Sequence, residues 1–235
     1  MLYLIGLGLN EKSISMQGLD SIKKCNKVYL ENYTVDFPYE KENLDRIISK
    51  KTIPVERDFI ESFKILNEAK KMDVALLVYG SPLSATTHIS LIQEAKSKKI
   101  KVEIIYNASV LDAVAETGLQ LYKFGKITSI PAWKKNYEPD SFVEVIEENQ
   151  SINAHTLILV DIGLEFQEAL NQLELSLKKR KKDLKEIIVC SCLGTKNQKI
   201  LYGILTSLKK QKIRKPYCFI VPGKLHFFEK EILKS

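Results

Sequence analysis

One stretch constrains the fold more than any other: Asp73 to Leu91, DVALLVYGSPLSATTHISL. Val74 to Val78 reads as a buried strand. It runs into Gly80-Ser81-Pro82 and then into small and hydroxyl residues, Ser84-Ala85-Thr86-Thr87-His88. An apolar strand ending on such a turn is how an α/β protein builds a pocket at the carboxyl edge of its sheet. Gly80 and the small side chains let backbone N–H and C=O groups approach a ligand closely.

The same pattern recurs along the chain. Leu2 to Ile5 is a short apolar run followed by Gly6-Leu7-Gly8-Leu9. A helix is predicted over about 15–25, with Met16, Leu19 and Ile22 on one face, and a strand over 27–30. Gly6-x-Gly8 is a weak dinucleotide fingerprint, because the third glycine is missing and Asn10-Glu11-Lys12 stands where the helix should open. No Gly-x-x-x-x-Gly-Lys-Ser/Thr element occurs, which excludes a P-loop. Next come a helix over 44–48 and a strand over 52–55. Asp58 and Glu61 have capping-box spacing and open a helix to about 71. After the 74–78 strand, a helix over about 85–98, a strand over 101–106 and a helix from Asn107-Ala108-Ser109-Val110 to about Thr117 are expected. This alternation argues for a mainly parallel sheet.

The second half predicts strands over 128–131, 155–161, 187–192 and 218–221, with helices over about 141–149, 165–182 and 198–210. The fold class is α/β in two α/β domains: 1–106 with a mainly parallel sheet, and 107–235 with a mixed one. Strand ends at Gly8-Leu9, Gly80-Ser81-Pro82, Asn107-Ala108-Ser109, Val160-Asp161 and Gly223-Lys224-Leu225-His226 all carry ligand-friendly residues. Their convergence would make a small-molecule pocket.

Composition narrows the partners. With 45% hydrophobic and 28% charged residues, the chain is of a folded type. No run of about 18 apolar residues suggests a membrane span. MLYLIGLGLNEKS lacks a basic n-region and reads as a first strand rather than a signal peptide. The net charge of +7 comes with lysine runs such as 178–182. These read as solvated faces, and without an aromatic-interleaved basic motif no nucleic-acid partner is expected. Cys190 and Cys192 are two apart in a predicted strand and would share one face. With no C-x-x-C pair and no nearby histidine, no metal site is expected. Buried reduced thiols in a cytoplasmic protein are.

No nucleophile stands out. Ser81 and Ser84 lie outside any Gly-x-Ser-x-Gly elbow, and no Ser/His/Asp set can be picked, which disfavours a hydrolase. His88 is either a general base or ligand contact, or a helix-start histidine bonded to backbone. His155 opens a strand and reads as structural. His226 and Asp161 stay open between a ligand role and a turn role. Trp133 is a substrate-stacking residue or a domain-contact aromatic.

Six segments together resemble the diphthine synthase family, a branch of the tetrapyrrole-methylase-like (class III) methyltransferases. They are MLYLIGLGL at the start, ATTH at 85–88, NAS at 107–109, TGLQLYKFGK at 117–126, HTLILVDI at 155–162 and VPGKLH at 221–226. They fall in the family's order and span nearly the whole chain. The VPGKLH ending and the length look like the archaeal form.

The resemblance implies S-adenosylmethionine folded into the cleft between two α/β domains, with S-adenosylhomocysteine as product, and a homodimer. It implies methyl transfer to the amino group of the 3-amino-3-carboxypropyl arm on a histidine of translation elongation factor 2. By motif position the cofactor contacts would be Leu9, Ser81, Ser84, Ser109, Val110, Val160, Tyr202 and His226. No catalytic base is assigned. Such a reaction needs a neutral amine and alignment rather than a metal or a nucleophilic side chain, so positioning supplies most of the rate.

One departure stands out: the family's Gly-Asp-Pro is here Gly80-Ser81-Pro82. A hydrogen bond involving a charged group is worth about 1.5–3 kcal/mol and a neutral one about 0.5–1.5. Serine is therefore expected to weaken cofactor binding roughly tenfold. Two other readings are a same-fold methyltransferase acting on a tetrapyrrole, and a catalytically silent binding module with a decayed cofactor site. TGLQLYKFGK and VPGKLH speak against the first. Absence of cofactor binding would favour the second.

Overall fold

The structure is a computed structural model that describes residues 1–234. The chain forms two units, Met1–Leu111 and Asp112 onward. The division falls later than the expected 106/107. Its physical reason is that Asn107 hydrogen-bonds back to Gly6 and Ser13, which keeps the 107–110 turn with the first unit.

Unit 1 contains β1 (Leu2–Gly6), β2 (Lys27–Glu31), β3 (Ile53–Val55), β4 (Val74–Val78) and β5 (Val102–Ile105). They pair in the order β3-β2-β4-β1-β5, every pair parallel. The apolar runs are continuous because both faces are covered. Leu2 and Leu4 of β1, with Val74, Leu76 and Val78 of β4, enter one core cluster. The intervening Tyr3, Ile5, Ala75 and Leu77 enter another on the opposite face. Helices α1 (Met16–Lys24), α2 (Lys41–Ile48), α3 (Arg57–Glu61), α4 (Lys64–Ala69) and α5 (His88–Ser97) flank the sheet. Ser15 caps α1 by accepting from Gly18 N at 3.0 Å.

Two helix expectations fail locally. The helix expected to run from Asp58 to about 71 is broken at Phe63, which sits at φ +57° between α3 and α4 while its ring packs on the core. Its cap position is Glu56, not Asp58. The helix expected from Ala85 begins at His88, since Ala85 is itself left-handed at φ +57°.

In unit 2, after the short α6 (Val110–Ala113) at the division, come β6 (Thr128–Ile130), α7 (Phe142–Ser151), β7 (Thr156–Val160), α8 (Phe166–Lys179), β8 (Ile187–Ser191), β9 (Lys199–Gly203), α9 (Leu205–Leu208), β10 (Tyr217–Val221) and α10 (Phe227–Lys234). The sheet is mixed, in the order β6-β7-β10-β8-β9, with β6 parallel to β7 and the other pairs antiparallel. Helix α8 buries Phe166, Ala169, Leu170, Leu173 and Leu177, the spacing of one helical face, and α7 adds Phe142, Val143 and Ile146 to the same core. Each of the Phe, Leu, Ile and Val side chains among them is worth about 1.5–3 kcal/mol of burial.

The largest departure is β9. Residues 198–210 were expected to be helical, but Lys199–Gly203 pairs with β8 and only Leu205–Leu208 is helix. Ile200, Leu201 and Tyr202 suit a pleated surface, and pairing with β8 decides the outcome. Cys192 does not share a strand face with Cys190, because β8 ends at Ser191 and Cys192 turns to φ +49°. All four thiols are buried and reduced.

Candidate functional site

The strands of unit 1 are parallel, so their carboxyl ends share one edge. The chain leaves β1 toward β2 and leaves β4 toward β5, in opposite directions across the β4–β1 pair. That is a topological switch point, where open α/β sheets hold ligands. The loops after β1, β4 and β5 meet there. Gly8 N donates to Gly80 O at 3.1 Å and Gly80 N donates to Gly8 O at 2.9 Å. Both glycines are left-handed, at φ +71° and +70°. A Cβ on Gly6 would lie 2.7 Å from Gly80 O, so this backbone contact needs glycine.

Asn107 ties in the third loop. Its Nδ2 donates to Gly6 O at 3.1 Å and Ser13 O at 2.9 Å, while Oδ1 accepts from Ala108 N at 2.8 Å. Tyr79 donates its hydroxyl to Leu9 O at 3.0 Å. Leu9, Ser81, Ser84, Ser109 and Val110 are thus gathered on this edge, with Ser81 and Ser109 buried. Ser81 O accepts from Ser84 N at 3.1 Å, which closes the central turn.

His88 is structural in its contacts. It is fully buried, and Nδ1 lies 2.9 Å from Pro82 O, which also accepts from Thr86 Oγ1 at 2.7 Å. Its Nε2 is 3.1 Å from Glu31 Oε2, at the end of β2. Neither Glu31 oxygen makes a hydrogen bond, and His88 Nε2 is left without one as well. The nearby Tyr33 phenol is pushed up by burial and by the Glu31 charge.

Unit 2 gathers its candidates less completely. Cys218 faces Leu159 and Val221 faces Thr156, because β10 runs against β7. Val160 therefore lies at one edge of this sheet, and the turn leading to His226 leaves from the other, roughly 13 Å away along the strand. Tyr202 is level with Ile188 on the outer side of β8, and its hydroxyl donates to Glu186 Oε2 at 2.5 Å. The expected meeting of the Val160-Asp161 and Gly223–His226 ends does not occur at one sheet edge. Asp161 serves its turn, accepting from Ile162 N at 3.0 Å and Ala132 N at 3.2 Å. Trp133 donates within its own loop to Pro139 O at 3.1 Å.

The residue that sequence reasoning missed is Glu229, in α10. Its side chain is 1% exposed. It accepts from Gln120 N (3.0 Å), His226 N (2.6 Å), Lys123 Nζ (2.5 Å) and His155 Nε2 (3.1 Å). Burial alone would raise its pKa, but the bonds from Lys123, the two backbone N–H groups and His155 outweigh burial and hold it at about 2. His155 is pushed down, chiefly by burial, against the opposing pull of Glu229.

Both shifts make the unfolded chain the stronger proton binder as pH falls. Stability should therefore begin to drop below pH 6.5 as His155 resists protonation, and drop further between 4.5 and about 2 as Glu229 is titrated. Asp140 and Glu174, each held at about 2 by basic neighbours, act in the same lower window. The Glu229 share is at most about 3 kcal/mol. Denaturant titrations from pH 8 to 2 should show this two-stage loss, with the lower stage reduced in Glu229→Gln. An identical pH profile for the two proteins would refute it.

Comparison with known proteins defines the class first. The family model described as Tetrapyrrole (Corrin/Porphyrin) Methylases matches residues 1–209, and the chain belongs to that family. Relatives within it are named diphthine synthase or diphthine methyl ester synthase. The "Diphthine synthase" of Methanocaldococcus jannaschii is 39% identical over 252 aligned positions, covering 100% of this chain and 98% of the relative. The "Diphthine methyl ester synthase" of Schizosaccharomyces pombe is 46% identical over 170 residues, 71% of this chain. That match spans only 60% of the fungal protein, which is the longer of the two. The crystal structure of a putative diphthine synthase from Entamoeba histolytica superposes with a TM-score of 0.90 at 32% identity, covering 100% of this chain and 97% of that one.

Proposed function

We propose that this chain is an S-adenosylmethionine-dependent methyltransferase of diphthamide synthesis. Its acceptor is the amino group of the 3-amino-3-carboxypropyl arm on a histidine of translation elongation factor 2. The reading rests on the paired Gly8–Gly80 contact at the switch point of unit 1, in a chain similar to a diphthine synthase over its full length.

The residues fit such a cofactor. Glycine at 6, 8 and 80 lets the loops after β1, β4 and β5 close on one another at the carboxyl edge, where side chains would meet Gly80 O, Ser13 Cβ or Ser109, and the buried Ser81 and Ser109 add hydroxyl-bearing residues to that edge. In this reading the cofactor contacts are Leu9, Ser81, Ser84, Ser109, Val110, Val160, Tyr202 and His226. When bound, the cofactor supplies an electrophilic methyl group on a positively charged sulfur. The chain's part is to bind, orient and exclude water, which suits a site without an activated nucleophile. The homodimer and the cytoplasmic location belong to the same proposal. Among the described residues, no helix is long and apolar enough to cross a membrane.

The test is calorimetric titration with S-adenosylhomocysteine. Micromolar binding, one ligand per chain, is expected, tightening roughly tenfold in Ser81→Asp as a charged acceptor is restored. Binding by Ser81→Asp alone would point to a silent module with a decayed site. Binding by neither would sink the methyltransferase reading. If the cofactor binds, methyl transfer to elongation factor 2 carrying the aminocarboxypropyl histidine is the next assay. Mass spectrometry before and after mild alkali would distinguish methylation on nitrogen from an alkali-labile ester, the product named for the fungal relatives.

A further inference from the structure

We infer that Glu229 is a positioning residue for the Gly223–His226 turn, fixing the backbone from which His226 reaches the cofactor. The inference rests on the reading of His226 as a cofactor contact. Three groups of the turn are each claimed by one member of a buried cluster. His226 N donates to Glu229 Oε2 at 2.6 Å. Gly223 N donates to His155 Nδ1 at 2.9 Å. Lys224 O accepts from Lys123 Nζ at 2.9 Å. Glu229 in turn accepts from both His155 Nε2 and Lys123 Nζ. The one carboxylate therefore organises the turn directly and through two intermediaries.

The donor–acceptor accounting is complete. His155 Nδ1 accepts a hydrogen bond from Gly223 N–H and Nε2–H donates to Glu229, so the ring is the neutral Nε2–H tautomer. Its backbone is pinned as well: His155 N donates to Lys123 O and His155 O accepts from Gly125 N, both at 2.9 Å. Glu229 faces only donors, two on each oxygen. A carboxylate alone among side chains accepts on both ends. Glutamine has nearly the same shape, yet its NH2 must face either Lys123 Nζ with His226 N, or His155 Nε2 with Gln120 N. The turn has no slack to absorb the change, because a Cβ on Gly223 would lie 2.4 Å from Asn153 O.

The test is Glu229→Gln, studied as the full chain at 25 °C. Amide hydrogen exchange is read without cofactor, and S-adenosylhomocysteine affinity by calorimetry. Protection of Gly223 and His226 should fall at least tenfold while Phe219 and Ile220 in β10 keep theirs, and the Kd should rise at least tenfold. Unchanged exchange at the turn, or an equal loss across the whole sheet, would overturn the positioning role. So would local loosening with an unchanged Kd. A wild type that does not bind S-adenosylhomocysteine would fail the methyltransferase reading instead, and the exchange data alone would then decide whether Glu229 sets the turn. If Glu229→Gln does not fold, Lys123→Met and Lys123→Arg replace it. Methionine should loosen the turn and arginine should restore it; equal behaviour of the two would count against the cluster.

Discussion

Replacing Gly8 with alanine should weaken S-adenosylhomocysteine binding at least a hundredfold and lower the stability of unit 1. The new Cβ would lie 2.4 Å from Ser13 Cβ and 3.1 Å from Asn107 Oδ1. Gly8 also sits at φ +71°, which costs a residue with a side chain about 1–2 kcal/mol. The overlap forces the backbone away from the 10–13 turn, and the two bonds to Gly80 go with it, each worth about 0.5–1.5 kcal/mol. A hundredfold change is about 2.7 kcal/mol, within the range of the two lost bonds together. Gly163→Ala is the matched control. Gly163 has φ +76° but nothing within 4 Å of its would-be Cβ, so it carries the backbone cost alone. It should lose about 1–2 kcal/mol in denaturant unfolding and keep its affinity. Equal affinities for Gly8→Ala and wild type would place the cofactor elsewhere.

The second large effect is expected at Glu31 and His88. Both side chains are essentially inaccessible to water, and Glu31 has no aligned hydrogen bond to fall back on. Removing one member of a buried polar contact leaves the desolvation of the other unanswered, at about 1–3 kcal/mol. Glu31→Ala and His88→Ala should each lose that much in chemical denaturation. Glu31→Ala/His88→Ala should lose clearly less than the sum, because no buried polar group is then left without its partner. A coupling of at least about 1 kcal/mol is the expected result of the double-mutant cycle. Strict additivity would mean that the two groups do not sense each other. His88→Ala also strips one partner from Pro82 O, so the central turn should exchange its amides faster even where the fold survives.

Unit 1 was legible because its signals are local. β1 and β4 are continuous apolar runs, since both faces are buried, and Gly6, Gly8, Gly80 and Asn107 announce the loops that meet. What stayed hidden depends on distant partners. Glu229 lies in HFFEKEIL, which reads as a surface helix; it is buried only because Gln120, Lys123 and His155, far away in sequence, come to it. The one hint was a histidine opening β7. Glu31 closes an ordinary strand, and its partner is fifty-odd residues on, roughly the span of one crossover pair. The direction of β10 was equally unreadable, so the separation of Val160 from the His226 turn could not be foreseen. β9 was lost because a short apolar run fits a helix or a strand until its neighbour is known.

The strand orders also set a timetable for synthesis. β1 is made first, yet both its neighbours, β4 and β5, emerge only after residues 74 and 102. In the second unit β10 is the bridge between β7 and β8, and it comes last. Each sheet thus waits on a late central strand, leaving LYLIG unpaired and then one open edge each on TLILV and IIVCS, whose other edges pair with β6 and β9. Such edges are the segments that chaperones meet. A polypeptide released before residue 217 would carry a second unit whose two halves have nothing to join them.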